Sequence, residues 1–370
     1  MIPVNVPLLG GNEKKYVLEA LDTGWISSEG PFIKKFEEGM AKICNRKHGV
    51  AVANGSVALD LALHVLELQP GDEVIMPTFT IISCITAILR VGAVPVLVDS
   101  DVNTWNMDVH QVEQKITKKT KAIMVVHIYG LPVEMNPILD LAKKYNLKII
   151  EDAAEMHGQN YFDQPCGSFG DISTFSFYAN KQITTGEGGM VMANDDHLAE
   201  RCRFFRNLGF EPKRRFVHDE LGWNFRMTNL QAALGAAQVE RIDEIVARKR
   251  KIGNKYQQML AGMKTQFQLP LAETEYAKNI YWVFGLVLSD VVKMNAFEAM
   301  KKFTDRGIGV RPFFWCMHEQ PVLLKMGLFK NESYPVAERL ARRGFYLPSG
   351  LGLTDDQQQT VVQVVKEVLS

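Results

Sequence analysis

With 370 residues, 46% of them hydrophobic and 23% charged, the chain has the make-up of an ordinary globular protein long enough for two domains. Lysine plus arginine and aspartate plus glutamate both number 42, so no net field draws the protein to nucleic acid or to an anionic membrane, and any anionic ligand is held by local groups. The opening Met1-Ile-Pro-Val lacks the basic and apolar segments of a secretory signal, no stretch is apolar enough to span a bilayer, and five scattered cysteines suggest neither disulfides nor a metal site; a cytoplasmic protein is expected.

In chain order, 12–21 and 32–43 read as amphipathic helices joined by a polar turn, 23–30, that carries Trp25. Alternating units follow. Apolar runs at 49–53, 73–76, 94–98, 122–126 and 148–151 predict short strands, and helical patterns at 57–68, 81–90, 109–116 and 137–145 lie between them. Strands that alternate with helices and carry continuous apolar runs predict a mostly parallel sheet covered on both faces, with ligands gathering beyond the carboxyl ends of its strands. A strand at 190–193 leads to a helix over 198–206 and then to a basic, aromatic loop, 207–224. The pattern over 228–260 predicts one long helix bridging into a C-terminal part with a strand at 281–288, a helix at 296–306, a loop at 311–320 and a closing helix from 355. The expected division is a large unit, 1–240, and a smaller C-terminal α/β unit, 241–370.

Lys181 follows a strand-like run rich in Phe and Ser and precedes small, polar and glycine residues that let a ligand approach the backbone closely. That setting suits a lysine that bonds an aldehyde, although a solvated surface role fits the local composition too. Asp152 follows the apolar run 147–150 beside small Ala153 and Ala154, where it can hold a ring nitrogen or merely cap a turn. Gly55 and Ser56 lie between a strand and a helix start, a place that favours an anion and equally suits an N-cap, and Ser176 offers a second hydroxyl. A lysine, a carboxylate and a phosphate cradle are the three demands of pyridoxal phosphate.

Six stretches stand in order: 54–59, 71–80, 151–155, 176–181, 185–189 and 224–228. Together they resemble the DegT family of nucleotide-sugar aminotransferases over essentially the whole chain. The resemblance implies the aspartate-aminotransferase fold (fold type I), with a large domain built on a mostly parallel mixed sheet plus a smaller C-terminal α/β domain. It also implies pyridoxal 5'-phosphate, L-glutamate as amino donor, and a homodimer with shared active sites. By the same resemblance Lys181 bonds the cofactor aldehyde, Asp152 pairs with the ring nitrogen, and Glu155 sits near the ring hydroxyl. Gly55, Ser56 and Ser176 hold the phosphate, and Asn224 reaches the cofactor of the partner subunit. Ile81 stands where the family often has an aromatic ring against the cofactor, so the aromatic contribution is forfeited there. Relatives that dehydrate sugars carry histidine at the lysine position, so Lys181 points to amino transfer.

Within the family, 11–16, 23–28, 126–130 and 311–314 with Met317-His318 are most similar to the branch of GDP-perosamine synthases. Those enzymes aminate C4 of GDP-4-keto-6-deoxymannose, a step toward surface polysaccharide or O-antigen. Two alternatives share the framework: amination of a UDP- or dTDP-linked 3- or 4-keto sugar, and, in a different class, a cofactor-binding regulatory or sensor protein. Trp25, Arg311 and His318 are the candidate substrate contacts, Arg311 through its planar fork toward a diphosphate or the donor carboxylate and His318 toward a sugar hydroxyl, although a packing anchor, a structural salt bridge and a packing or capping histidine fit the same three residues. His157, two residues after Glu155, is expected to line the pocket. Tyr178-Ala179 and Cys316 depart from the Phe-Gly and the proline usual in that branch.

Overall fold

The computed structural model of the chain describes residues 1–211 and 213–369. Two helices open it, α1 (Glu13–Asp22) and α2 (Pro31–Ile43). Alternating strands and helices follow: β1 (His48–Val52), α3 (Gly55–Val65), β2 (Glu73–Pro77), α4 (Ile82–Arg90), β3 (Val94–Val98), β4 (Thr120–Val126), α5 (Met135–Tyr145) and β5 (Lys148–Asp152). A small hairpin, β6 (Asn160–Tyr161) and β7 (Gln164–Pro165), precedes β8 (Ile172–Ser176), β9 (Gly189–Ala193), α6 (Asp196–Arg206) and α7 (Asn229–Val239). The main sheet has seven strands in the order β1-β9-β8-β5-β4-β2-β3. Its strands are parallel except β9, which runs against both of its neighbours, so the sheet is the mixed, mostly parallel one expected.

Both faces of the sheet are buried, and the strand sequences show why. Val74 and Met76 of β2, with Ala122, Met124 and Val126 of β4, enter the core beneath α3 and α4. Ile75, Ile123 and Val125 alternate with them and enter a second core beneath α5. A strand whose odd and even residues are both apolar can only lie between two layers of helices. The same alternation sets Ile150 and Asp152 toward the α3 and α4 side and Ile149 and Glu151 toward the other.

α8 (Ile242–Leu260) leads into the C-terminal part. Its Ile242 packs on the core of α2 and α7, whereas Ile252, Tyr256 and Leu260 belong to a separate core. That core is shared by a four-stranded antiparallel sheet, β10 (Phe267–Gln268), β11 (Phe284–Leu288), β13 (Gly344–Leu347) and β12 (Arg311–Pro312), and by α9 (Ala296–Asp305) and α12 (Asp355–Leu369). α10 (Pro321–Lys325) and α11 (Pro335–Arg343) pack against the main core. The first residues of the chain join this C-terminal part: Ile2 bridges in parallel to Ile308, and Val4 and Val6 accept the amides of Ser349 and Gly352.

Two expectations differ. The segment 109–116 forms two 3-10 turns, Val109–Gln111 and Glu113–Lys115, in which the Asp108 side chain accepts the His110 amide and so favours a tight turn at the start. The single long helix over 228–260 is two, broken at Arg241 (φ −120°, ψ 20°). There Arg241 turns to Glu244 and to buried Glu13 of α1, a tertiary pull invisible in local periodicity. Among the described residues no helix is long and apolar enough to cross a membrane.

Candidate active site

The carboxyl ends of β4, β5 and β8 and the starts of α3 and α4 enclose a cavity of about 690 Å³. Lys181 lies in the turn after β8, with its side chain only 10% exposed. Its Nζ stands 3.6 Å from Glu155 Oε1 and 3.8 Å from the centroid of the Trp282 ring. Burial pulls the Lys181 amine below the usual lysine range, against the opposing charges of Glu155 and Asp152. Burial pushes Glu155 up to about 8, partly countered by Lys181 and by the Tyr129 amide, which donates to Oε2 at 2.6 Å.

Asp152, the last residue of β5, is buried. Its Oδ1 accepts the Ala154 amide at 3.0 Å and its Oδ2 accepts the Cys84 thiol at 3.3 Å. Burial raises its pKa, countered by the Ala154 amide, Lys181 and Cys84.

At the other end of the cavity α3 begins. Asn54 caps it, its side chain accepting the Val57 amide at 3.1 Å, while the Ala58 amide makes the first helical bond to the Asn54 carbonyl. The amides of Gly55 and Ser56 precede that bond and present the helix N-terminus to the cavity. Gly55 is required: a Cβ there would lie 2.7 Å from Cβ of Ser176, so only glycine lets the end of β8 meet the start of α3. Ser56 Oγ pairs with Ser83 Oγ of α4 at 2.7 Å. The Thr174 hydroxyl, also lining the cavity, is buried and has no hydrogen-bond partner among the described residues. An amine, a buried carboxylate and a hydroxyl-rich helix start, spread along one cavity, fit pyridoxal phosphate.

The structure thus brings together Lys181, Asp152, Glu155, Gly55, Ser56, Ser176 and Ile81, the last as the residue before α4 with its side chain against the cavity. Four other expected residues lie elsewhere. Asn224 is exposed, its Oδ1 accepting from Arg226 Nε at 2.9 Å, and Trp25 is exposed in its turn. Arg311 is on β12 opposite Tyr346, at the rim rather than in the lining. His318 does not face the cavity: it is 4% exposed, Nδ1 pairs with the Thr78 hydroxyl at 2.8 Å, and Nε2 pairs with Glu338 at 3.2 Å, so both ring nitrogens serve the fold. His157 is buried against Phe175 and Phe177 with Nδ1 on Gln182, beneath the site rather than in its wall.

Sequence reasoning missed Trp282, Phe314 and Tyr346, which close the cavity from the C-terminal part, and Thr80, Ser83 and Cys84 on the α4 side. The aromatic residues had no local signal. Ser83 and Cys84 did: they fall in the first turn of a helix that starts at a strand's carboxyl end.

All five cysteines are free and buried. Among the described residues two clusters bring three potential metal ligands together, His127 with Glu151 and Cys166, and His318 with Glu319 and Glu338. In the first, Glu151 already accepts the amides of Gly167 and Phe169 and the His127 ring.

The profile of the DegT/DnrJ/EryC1/StrS aminotransferases matches residues 7–366. The chain belongs to that family. Among its curated relatives, the GDP-perosamine synthase of Escherichia coli O157:H7 is 43% identical over 100% of this chain and 99% of its own. Those of Caulobacter vibrioides and Vibrio cholerae are 42% and 39% identical, over 100% and 99% of this chain and 98% of each relative. The crystal structure of the aminotransferase TlmJ from Streptoalloteichus hindustanus superposes with a TM-score of 0.91 at 29% identity, covering 100% of this chain and 99% of that one. The structure of the sugar aminotransferase Spr1654 of Streptococcus pneumoniae in its PLP form gives a TM-score of 0.90 at 26% identity, with both chains covered completely. Membership of the DegT/DnrJ/EryC1/StrS family makes the chain an aminotransferase of fold type I.

Proposed function

We propose that the protein transfers the amino group of L-glutamate to the C4 keto group of GDP-4-keto-6-deoxymannose, giving GDP-perosamine, with pyridoxal phosphate as cofactor. The observation that carries this reading is full-length identity of 39–43% to three GDP-perosamine synthases. A UDP-linked substrate and a regulatory role are less favoured, since the relatives bearing such names are 36% and 35% identical.

In this reading Lys181 bonds the cofactor aldehyde, Asp152 faces its ring nitrogen, Glu155 its ring hydroxyl, Ile81 its ring face, and Gly55, Ser56 and Ser176 its phosphate. When bound, the cofactor supplies a carrier for the amino group and a ring that accepts electrons from the reacting carbon. Lys181 supplies the proton movement. Its lowered pKa raises the share of neutral amine at neutral pH, so Nζ can take a proton from the donor carbon and return it. Glu155, raised to about 8, can hold a proton close to Nζ. Asp152 acts as a fixed carboxylate that keeps a positive ring nitrogen in place.

Asn224 completes the phosphate site of the partner subunit in a homodimer, an arrangement in keeping with its exposure in the single chain. Trp25 and Arg311 contact the nucleotide sugar, and His318 orders the loop that carries Arg311's neighbours. The product enters surface polysaccharide, O-antigen in particular, from the cytoplasm. The division we propose is 1–240 for cofactor binding and 241–370 for the smaller domain, with the first residues lying along the smaller domain and α10 and α11 returning to the main core.

The test is the visible spectrum of the cofactor-loaded protein. L-glutamate should bleach the band, GDP-4-keto-6-deoxymannose should restore it with release of an amino sugar nucleotide, and Lys181→Ala should do neither. A band indifferent to glutamate, or faster restoration by UDP- or dTDP-linked keto sugars, would sink the assignment.

A further inference from the structure

Cys84 is fully buried in α4, and no sugar, donor or phosphate can touch it. Yet its thiol points at a buried carboxylate of the cavity wall, donating to Asp152 Oδ2 at 3.3 Å, with the Thr80 hydroxyl 3.5 Å from Sγ. The alternation of β5 explains the meeting: Asp152 lies on the same face of the sheet as Ile150, the face that α4 covers. We propose that Cys84 is a positioning residue for Asp152, its thiol holding the carboxylate ionised and oriented toward the ring nitrogen of the cofactor. The proposal rests on the assignment of Asp152 to that nitrogen.

A buried carboxylate tends to take up a proton, and each donor it accepts opposes that tendency. Asp152 has one backbone donor, Ala154, and one side-chain donor, Cys84. The other titratable groups facing it are Lys181 and His127, whose charge would favour its ionised form, and Glu155, whose charge would oppose it. Burial and the Asp152 charge raise the Cys84 thiol well above its ordinary range, so it remains a donor at all working pH values. A thiol donates weakly. It can therefore hold the carboxylate without withdrawing much of the charge that a positive ring nitrogen needs.

The experiment is a pH titration of the visible band in the cofactor-loaded protein, for wild type, Cys84→Ala and Cys84→Ser. Loss of the donor raises the Asp152 pKa further, so the ring nitrogen is held less firmly as a cation and withdraws fewer electrons. The nitrogen on Lys181 then keeps its proton to higher pH. The expected result is an upward move of the midpoint by about half a unit to one unit in Cys84→Ala, the size of one weak hydrogen bond, with loss of cofactor affinity of about three- to tenfold. Cys84→Ser, which keeps a donor, should stay close to wild type. An unchanged midpoint in Cys84→Ala, or a serine variant displaced as far as alanine, would overturn the proposal.

Should the alanine variant fold poorly, the S–H stretch of the wild-type holoprotein decides: a thiol donating to a carboxylate absorbs at lower wavenumber than free thiols, and the lack of any such shifted band would equally overturn it. A wild-type protein with no visible band would instead bring down the cofactor assignment, and this proposal with it.

Discussion

The indole ring of Trp282 lies with its centroid 3.8 Å from Nζ of Lys181. The residue is held through its ring and through its backbone. Its N–H donates to the Asn180 carbonyl at 3.0 Å, and the Trp282 carbonyl accepts from buried Lys249 of α8 at 2.9 Å. A residue of the C-terminal part therefore sets the position of the amine. Trp282→Leu removes a cation–π contact worth roughly 0.5–2 kcal/mol, so kcat/KM for amino transfer should fall roughly 2- to 30-fold. Trp282→Phe keeps a ring face and should lose less. Steady-state kinetics on the pair checks this; a leucine variant with wild-type constants would show the ring to be idle.

His157 should make the protein acid-sensitive. Burial lowers its pKa from 6.5 to about 4, against the Gln182 hydrogen bond. The unfolded chain takes up this proton below its ordinary value, and the folded chain does not until about pH 4. The stability contribution is therefore present above the unfolded value and is lost as pH falls toward 4, by up to about 1.4 kcal/mol per pH unit. Denaturant midpoints across that window should fall for wild type, and His157→Phe should flatten the fall.

Glu151 braces the loop beside Asp152. Its Oε1 accepts the Gly167 amide at 2.5 Å and the His127 ring at 3.0 Å, and its Oε2 accepts the Phe169 amide at 2.8 Å. His127 Nδ1 accepts the Val133 amide at 3.0 Å, so the ring proton is on Nε2 and points at Glu151. On the same loop Arg46 donates to the carbonyls of Gly167 and Phe169 at 2.9 and 2.5 Å. Glu151→Ala leaves buried donors unpaired and should destabilise the fold by roughly 3–5 kcal/mol, read from urea unfolding. A loss below about 1 kcal/mol would mean that the loop closes over the gap.

The homodimer with shared sites proposed above predicts complementation. Lys181→Ala and Asn224→Ala should each be nearly inactive alone. Refolded together, about half of the dimers would be mixed, each with one intact site, so activity should return to about a quarter of wild type. A mixture as inactive as its components would place Asn224 in the site of its own subunit, and full activity of Asn224→Ala alone would place it outside the site.

Much of the site was legible because its parts sit at strand ends. Asp152 closes an apolar strand, Lys181 follows another, and Gly55 opens a helix, so the rule for open α/β sheets gathers them at one edge. What was not legible depends on contacts between distant segments. Trp282, Phe314 and Tyr346 reach the cavity from more than a hundred residues beyond Lys181, in strands and loops whose own pattern is unremarkable. β13 and α11 were likewise missed: no element is expected from the sequence between the loop at 311–320 and the helix from 355, and what seats this stretch is Arg343 donating to the distant carbonyls of Leu288 and Met294. His318 shows how a contact decides between readings that the sequence leaves open. Of the two roles open to this loop histidine, sugar contact and packing, the structure shows the second, since Thr78 and Glu338 occupy both of its nitrogens.

The strand-like pairing of the first residues with the C-terminal part bears on how the chain is made. Ile2 donates to the Gly307 carbonyl at 2.7 Å and accepts from Gly309 at 2.8 Å, and Val6 accepts from Gly352 at 2.9 Å. On the ribosome the opening segment has no partner until more than three hundred further residues have emerged. The sheet around Asp152 and Lys181, complete by Ala193, can condense long before that. Closing the loop between Ile2 and Gly309 is then a late event, and the aromatic wall over Lys181 arrives with it, so a half-made chain has the lysine and the carboxylate but not the lid.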